Sequence, residues 1–295
     1  MNIKEEKEKC IEKWSLNNKF DKRLCKASNE FEDWLSQIPN EYQHETIELL
    51  KEFNYFSSYL VNKTLVELHA ELMKNSNISD EDSVFTFIKS YDGKTNSSND
   101  YWTNYKLINS LNKEICYEDI GRIEKWQWKY IKNVIFIDDF SGTGESFEKE
   151  ICKHINNFKG KNIYFLTIAI MKNAETYLQN LANEKRIKLI MINKIIQVKA
   201  FERKIFEDNN DAMLKIKKLS KEKDLESRYH FGFKNSQSLI GFYNNTPNNT
   251  LGFIWRNKDS YHALFPRDLP KIPKWQQMKK NRIKRKSENY VNKTK

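Results

Sequence analysis

Three stretches of the sequence are apolar at nearly every position, and they limit the possible folds more than any other feature. They are NVIFID from residue 133, NIYFLTIAI from residue 162 and IKLIMINKII from residue 187. A strand that is apolar on both faces is typical of a parallel sheet covered on both sides. SVFTFIKS from residue 83 is a fourth run of the β type, and helical patterns at residues 145–157 and 174–184 alternate with the later runs. This alternation predicts an α/β protein with a parallel-sheet core.

The composition changes along the chain and predicts four segments. Residues 1–80 lack glycine and carry apolar residues at helical spacing, which predicts a helical N-terminal lobe with one long amphipathic helix through residues 47–72. Residues 81–200 form the predicted α/β core, and residues 201–270 form a predicted C-terminal accessory region that covers the core like a hood. In that region SLIGFY and LGFIW flank the turn-forming NNTPNNT, which predicts a hairpin.

Residues 271–295 form a basic tail that carries most of the net charge. The tail has ten Lys or Arg and one Glu, so it contributes nine of the eleven net positive charges of the chain. Two interpretations stay open: the tail binds nucleic acid, or it is a solvated chain end. Salt-dependent binding to DNA or RNA that disappears when the tail is deleted would decide between them.

The sequence predicts a cytoplasmic protein without a membrane partner. Its longest apolar run is far shorter than the roughly 20 residues of a membrane-spanning helix. The N-terminal residues MNIKEEKEKC contain no apolar segment of the kind that directs export.

The segment VIFIDDFSGTGESF, residues 134–147, combines a buried strand, two acids and a glycine loop. Ligands of open α/β sheets bind beyond the carboxyl ends of the strands, so Asp138 and Asp139 are expected at the rim of a cleft. The loop SGTGES starts a helix, and its backbone amides and the helix dipole suit a phosphate. A Walker A loop is excluded because Glu145 stands where that motif needs a lysine, and the spacing of the acids does not fit an EF-hand. An ordinary strand-to-helix turn with N-capping is the alternative.

The string VIFIDDFSGTGES resembles the phosphoribosyl diphosphate (PRPP) signature of type I phosphoribosyltransferases. The resemblance implies that Asp138 and Asp139 are catalytic residues that bind the ribose 2′ and 3′ hydroxyls, directly or through Mg²⁺. It also implies a 5-phosphate site formed by the loop residues Ser141, Gly142, Thr143, Gly144, Glu145 and Ser146. Loss of pyrophosphate from C1 leaves an oxocarbenium-like ribose, which an anionic rim stabilises. Three positions depart from the family: Ser141 replaces a usual apolar residue, Gly142 replaces the general-base Asp of the purine-salvage branch, and Glu145 adds negative charge beside the phosphate.

Two further segments gain a role through the resemblance. In FTFIKSYDGKTNSS the family's pyrophosphate loop would contain Lys89, Ser90, Gly93 and Lys94, although an ordinary polar turn is the alternative. The C-terminal region with NTPNNTL is similar to a bacterial phosphoribosyltransferase-like group found in phage-defence and toxin–antitoxin settings, some of whose members resemble toxins encoded beside RecQ-like helicase antitoxins. Amides that both donate and accept around a rigid Pro247 suit a nucleobase edge or a hydroxyl-rich ligand, which makes Asn245, Asn248 and Asn249 candidate hood residues. An Asn-rich turn that satisfies its own backbone is the alternative.

The sequence as a whole predicts a phosphoribosyltransferase-like protein that binds PRPP or a phosphoribosyl nucleotide with Mg²⁺. Its expected activity is pentosyl transfer, and its expected role is that of a bacterial anti-phage effector or toxin with a protein partner such as a RecQ-like helicase antitoxin. The departures at Gly142 and Glu145 keep a second hypothesis open, in which the same fold senses a nucleotide without turnover. A third hypothesis gives the basic tail the main role, as a nucleic-acid-binding accessory protein.

Overall fold

The structure is a computed structural model that describes residues 2–267, apart from residues 17, 20, 76–77 and 89–96. Within this part of the chain the helices are α1 (Ile3–Ser15), α2 (Lys22–Asn29), α3 (Phe31–Ser36), α4 (Asn40–Lys51), α5 (Ser58–Asn75), α6 (Ser97–Ile108), α7 (Glu145–Phe158), α8 (Lys172–Lys185), α9 (Asn209–Glu222) and α10 (Gly252–Trp255). The strands are β1 (Asn54–Phe56), β2 (Ser83–Phe87), β3 (Asn133–Ser141), β4 (Asn162–Met171), β5 (Lys188–Gln197) and β6 (Ile240–Phe242).

Within the described residues the main sheet has four strands in the order β2-β3-β4-β5, and every neighbouring pair is parallel. The central strands β3 and β4 are buried along almost their whole length, as their uninterrupted apolar runs predict. At the middle of the sheet Ile137 is paired with Phe87 on one side and with Leu166 on the other. The predicted α/β architecture with a parallel sheet is therefore confirmed.

Helices cover the sheet on both faces, and alternate residues of each strand supply the two cores. Ile135 and Ile137 of β3 pack in one cluster with side chains of α5 and α6. Val134 and Phe136 pack in another cluster with α7 and α8, where Phe147 stacks on Phe165 at a centroid distance of 4.1 Å. Because successive strand residues point to opposite faces, this arrangement fixes the register of the strand that leads to the acidic pair.

A third cluster joins the two ends of the described chain. Helices α1–α4 pack with α9, α10 and the segment up to residue 265, around aromatic side chains such as Trp14 and Phe253. The short parallel pair β1-β6 connects this cluster to the rest, with Asn54 opposite Ile240. Arg23 of α2 adds to the connection by donating hydrogen bonds to the Phe242 carbonyl and to Thr246 Oγ1. The C-terminal region is thus held in place by the N-terminal helices.

Two predicted elements are wrong in detail. The single helix expected through residues 47–72 is interrupted, because the aromatic run at residues 53–56 forms β1 and pairs with β6. The hairpin expected around NNTPNNT does not form: SLIGFY contains β6, whose partner is β1, and LGFIW contains the short helix α10. In both cases a partner nearly two hundred residues away determines the structure, and local patterning does not reveal it.

The helices of the described part of the chain are each too short or too polar to cross a bilayer.

Candidate functional site

The two adjacent acids lie at the carboxyl end of β3, in the middle of the sheet. Asp138 and Asp139 are 5% and 6% exposed, and Asp138 Oδ1 accepts a hydrogen bond from the Asp139 backbone N–H at 2.9 Å. Strand alternation places Asp138 on the side of α7 and α8 and Asp139 on the side of α5 and α6. The two carboxylates therefore lie on opposite faces of the sheet, at the end of the same strand.

The glycine loop, residues 142–146, connects β3 to α7 in a conformation that depends on its second glycine. Gly144 is the N-cap of α7 and has φ 82°, in the left-handed region that glycine adopts without a steric penalty. A Cβ there would lie 3.0 Å from Leu178 Cγ, so α8 also limits the space. Because this N-cap residue is a glycine, it has no side chain that could accept hydrogen bonds from the first-turn amides of α7.

A cavity of about 360 Å³ opens beside the loop and collects most of the predicted site residues. It is lined by Ile88, Asp138, Phe140, Ser141, Gly142, Thr143, Gly144, Glu145, Ser146, Phe147, Lys149, Phe233, Asn248 and Asn249. Two predicted site residues in the described part of the chain, Asp139 and Asn245, do not line this cavity. The Asn245 side chain instead accepts a hydrogen bond from the neighbouring Thr246 backbone N–H at 2.9 Å. Lys149 and Phe233 are lining residues that the sequence did not suggest.

The C-terminal region meets the glycine loop through Asn249. A Cβ added to Gly142 would lie 2.2 Å from Asn249 Cγ, so the amide group fills the space that any larger residue at position 142 would need. The Asn249 amide nitrogen donates to Ser236 Oγ at 3.0 Å, and Ser236 Oγ donates to the Asn249 carbonyl at 3.0 Å. The side chain that packs on the loop is thereby fixed from both ends.

The negative charge of Glu145 has a partner in the C-terminal region. Lys234 Nζ forms an ion pair with Glu145 Oε1, and the two side chains are 56% and 31% exposed. Lys234 belongs to residues 232–237, the covering turn, which also contributes Phe233 to the cavity. The Glu145 carboxylate, whose negative charge is expected to oppose a phosphate, is therefore paired with a lysine.

Asp139 interacts with a different set of groups. It interacts electrostatically with Tyr101 of α6 and with Tyr243 and Arg267 of the C-terminal region. Burial raises the pKa of the Tyr101 hydroxyl well above its usual range, and the charge of Asp139 adds to this shift. Burial lowers the pKa of Arg267, and the Asp139 charge acts against that shift. The Tyr101 hydroxyl donates to Asn244 Oδ1 at 2.7 Å, so this side of the strand end is a network of buried polar groups.

Other predicted residues lie outside the described part of the chain. These are the pyrophosphate-loop candidates Lys89, Ser90, Gly93 and Lys94, together with the basic tail at residues 271–295. Ile88, the last described residue before the first of these segments, is buried and lines the cavity.

The acids fit the chemistry of a magnesium site that the substrate completes. Magnesium in phosphate-transferring sites commonly takes one or two carboxylates and completes its shell with substrate oxygens and water. Asp138 and Asp139 offer two nearly buried carboxylates at the strand end. Within the described residues, no group of three or more His, Cys, Asp or Glu side chains is placed to hold a metal without such a substrate.

The fold and the site together define an α/β protein with a glycine loop and two buried acids at the carboxyl edge of a parallel sheet. A model of the PRTase-CE family, PRTase standing for phosphoribosyltransferase, matches residues 31–267, and the chain belongs to that family. The matched range includes the sheet, the loop and the covering turn, and it begins at α3.

Solved structures with similarity to the chain include two phosphoribosyltransferases. Orotate phosphoribosyltransferase from Aeropyrum pernix has 15% sequence identity and a TM-score of 0.32, with 47% of this chain and 69% of that chain covered. The xanthine-guanine-hypoxanthine phosphoribosyltransferase of Helicobacter pylori has 12% identity and a TM-score of 0.31, with 49% and 88% covered. No curated protein matches the chain. The family assignment therefore rests on the match over residues 31–267.

Proposed function

We propose that the protein binds PRPP in the cavity beside the glycine loop and transfers the phosphoribosyl group to an acceptor, with release of pyrophosphate. The observation that carries the proposal is the meeting of the buried Asp138, the loop of residues 142–146 and the start of α7 around one cavity. Membership of the PRTase-CE family supports the same reaction class.

The phosphate end of the substrate would bind to the loop. Backbone amides at the start of α7 point toward an anion there, and the helix dipole adds positive potential. Thr143 and Ser146 line the cavity and can donate hydroxyl hydrogen bonds without adding charge. Lys149, one turn into the helix, also lines the cavity and adds a cation. These groups suit a phosphomonoester.

The acids would act on the ribose. In the transfer, the C1–O bond to pyrophosphate breaks with both electrons leaving on the pyrophosphate, and a lone pair of the acceptor forms the new bond to C1. Positive charge develops on the ribose between these events, and a fixed carboxylate such as Asp138 favours that state over the ground state. Bound Mg²⁺ would neutralise charge on the leaving pyrophosphate, and Asp138, the acid that lines the cavity, is the residue that would hold it.

Replacing both acids tests the proposal. Asp138→Asn together with Asp139→Asn keeps side-chain size but removes both charges, so pyrophosphate release from PRPP should fall by at least about a hundredfold. Asp259→Asn, at an exposed acid outside the cavity lining, is the matched control. Thermal unfolding measured in parallel separates loss of activity from loss of fold. Undiminished pyrophosphate release in a folded double variant would refute the proposal.

A sensor without turnover is the second candidate, and the packing of Asn249 on Gly142 favours it. That contact fills the space in which another branch of these enzymes carries a general base. A sensor would bind PRPP or a nucleotide in calorimetry and release no pyrophosphate. Any enzyme-dependent release that disappears in the acid double variant would exclude it.

A role in bacterial defence, as a toxin restrained by a partner, rests on the resemblance of the C-terminal region alone. Growth arrest upon expression of the wild-type chain, relieved by the same acid double variant, is the expected result. Equal arrest by both chains would contradict a toxic phosphoribosyl transfer.

A further inference from the structure

Lys234 of the covering turn forms an ion pair with Glu145, the loop residue whose negative charge opposes phosphate binding. Glu145 is the first residue of α7, where its carboxylate occupies the same electropositive helix end that would attract a phosphate. A dianion bound there would be repelled by this carboxylate. The loop itself contains no lysine or arginine to offset it.

Lys234 comes from a part of the chain that is distant in sequence and is held firmly in space. Its backbone has φ 52° and ψ 36°, the left-handed conformation that non-glycine residues seldom adopt, and Asn235 and Gln237 also have positive φ. Such a turn persists when its surroundings fix it. The Phe233 N–H donates to the Asn248 carbonyl at 2.8 Å, and the Gln237 N–H donates to the Phe231 carbonyl at 2.8 Å.

The same turn is packed against the glycine loop. A Cβ on Gly232 would lie 1.9 Å from the Asn249 carbonyl oxygen, so this glycine brings the turn against the backbone of Asn249. The Asn249 side chain in turn contacts Gly142. The position of Lys234 over Glu145 is therefore set by the close approach of two segments, and the ion pair adds to a contact that already exists.

We propose that Lys234 is a positioning residue of the phosphate site, which neutralises Glu145 and thereby lets the start of α7 accept a phosphomonoester dianion. The ligand contacts are made by the loop, and Lys234 acts through Glu145. This inference rests on the proposed function, since it concerns the same phosphate site. The C-terminal region is then part of the phosphate site, together with the glycine loop.

The test is a double-mutant cycle on the full chain, with ribose 5-phosphate as the probe and calorimetry at low salt. Lys234→Ala should weaken binding about two- to fivefold, because Glu145 then repels the phosphate. Glu145→Gln should bind as well as the wild type or better. In the Glu145→Gln background, Lys234→Ala should change affinity little, because the charge that it neutralises is gone.

Lys185→Ala is the matched control, since Lys185 forms an ion pair with Glu184 on α8 outside the cavity lining. It should leave the affinity unchanged. Unchanged affinity in Lys234→Ala, or an equal loss in both backgrounds, would overturn the inference while leaving the proposed function intact. If the wild-type chain does not bind ribose 5-phosphate, the inference and the phosphate site of the proposed function both fail.

Discussion

The glycine loop at residues 142–146 and the covering turn at residues 232–237 both line the same cavity, and they are built in different ways. The loop presents backbone amides and small side chains, and its shape depends on glycine at positions 142 and 144. The covering turn contributes the Phe233 side chain to the lining and pairs Lys234 with Glu145, and its backbone has left-handed conformations at Lys234, Asn235 and Gln237. The loop should therefore be sensitive to added atoms, and the covering turn to lost contacts.

Gly232→Ala should have the largest effect on stability. Gly232 has φ 73° and ψ 164°, a region that is essentially restricted to glycine, and a Cβ there would collide with a backbone oxygen. Backbone cannot move aside as a flexible side chain can, so the free energy of unfolding should fall by about 3–5 kcal/mol. Chemical denaturation measures this loss. A loss below about 1 kcal/mol would mean that the covering turn is not fixed as described.

Gly142→Ala should have an intermediate effect that can be reversed. The clash is with the Asn249 amide, so the variant should lose about 1–3 kcal/mol of stability and bind ribose 5-phosphate less tightly. Adding Asn249→Ala removes the three clashing atoms and should restore most of the binding. If the second substitution rescues nothing, the contact between the loop and Asn249 does not position the site.

Gly160→Ala should have the smallest effect. This glycine follows α7 with φ 73°, but no atom lies within 4 Å of the Cβ that alanine would add. The cost should be that of the left-handed backbone alone, about 1 kcal/mol, and phosphate affinity should not change. A change in affinity would show that alanine substitutions disturb the site through α7 as a whole, and it would weaken the comparison of the two segments.

The core elements could be predicted because their signals are local. Unbroken apolar runs identified β3 and β4, and the acids followed by glycines placed the loop at the carboxyl end of β3. Burial on both faces leaves such strands few alternatives.

The covering side of the site could not be predicted in the same way. Phe233, Lys234 and Arg267 carry no periodic pattern, and each reaches the site through contacts with residues far away in the sequence. Asp139 follows Asp138 directly, yet strand alternation gives it other neighbours, including Tyr101 of α6. The sequence motif contains both acids side by side, but in the folded sheet their side chains have different neighbours.

The pairing of β1 with β6 also affects when the site can form during synthesis. Asn54 is synthesised early, whereas its pairing partner Ile240 leaves the ribosome only after the whole main sheet and the glycine loop have been made. A growing chain therefore carries the loop and both acids well before Lys234 and Asn249 can reach them. The cavity with its complete lining belongs to a chain whose residues up to about 250 have all been made.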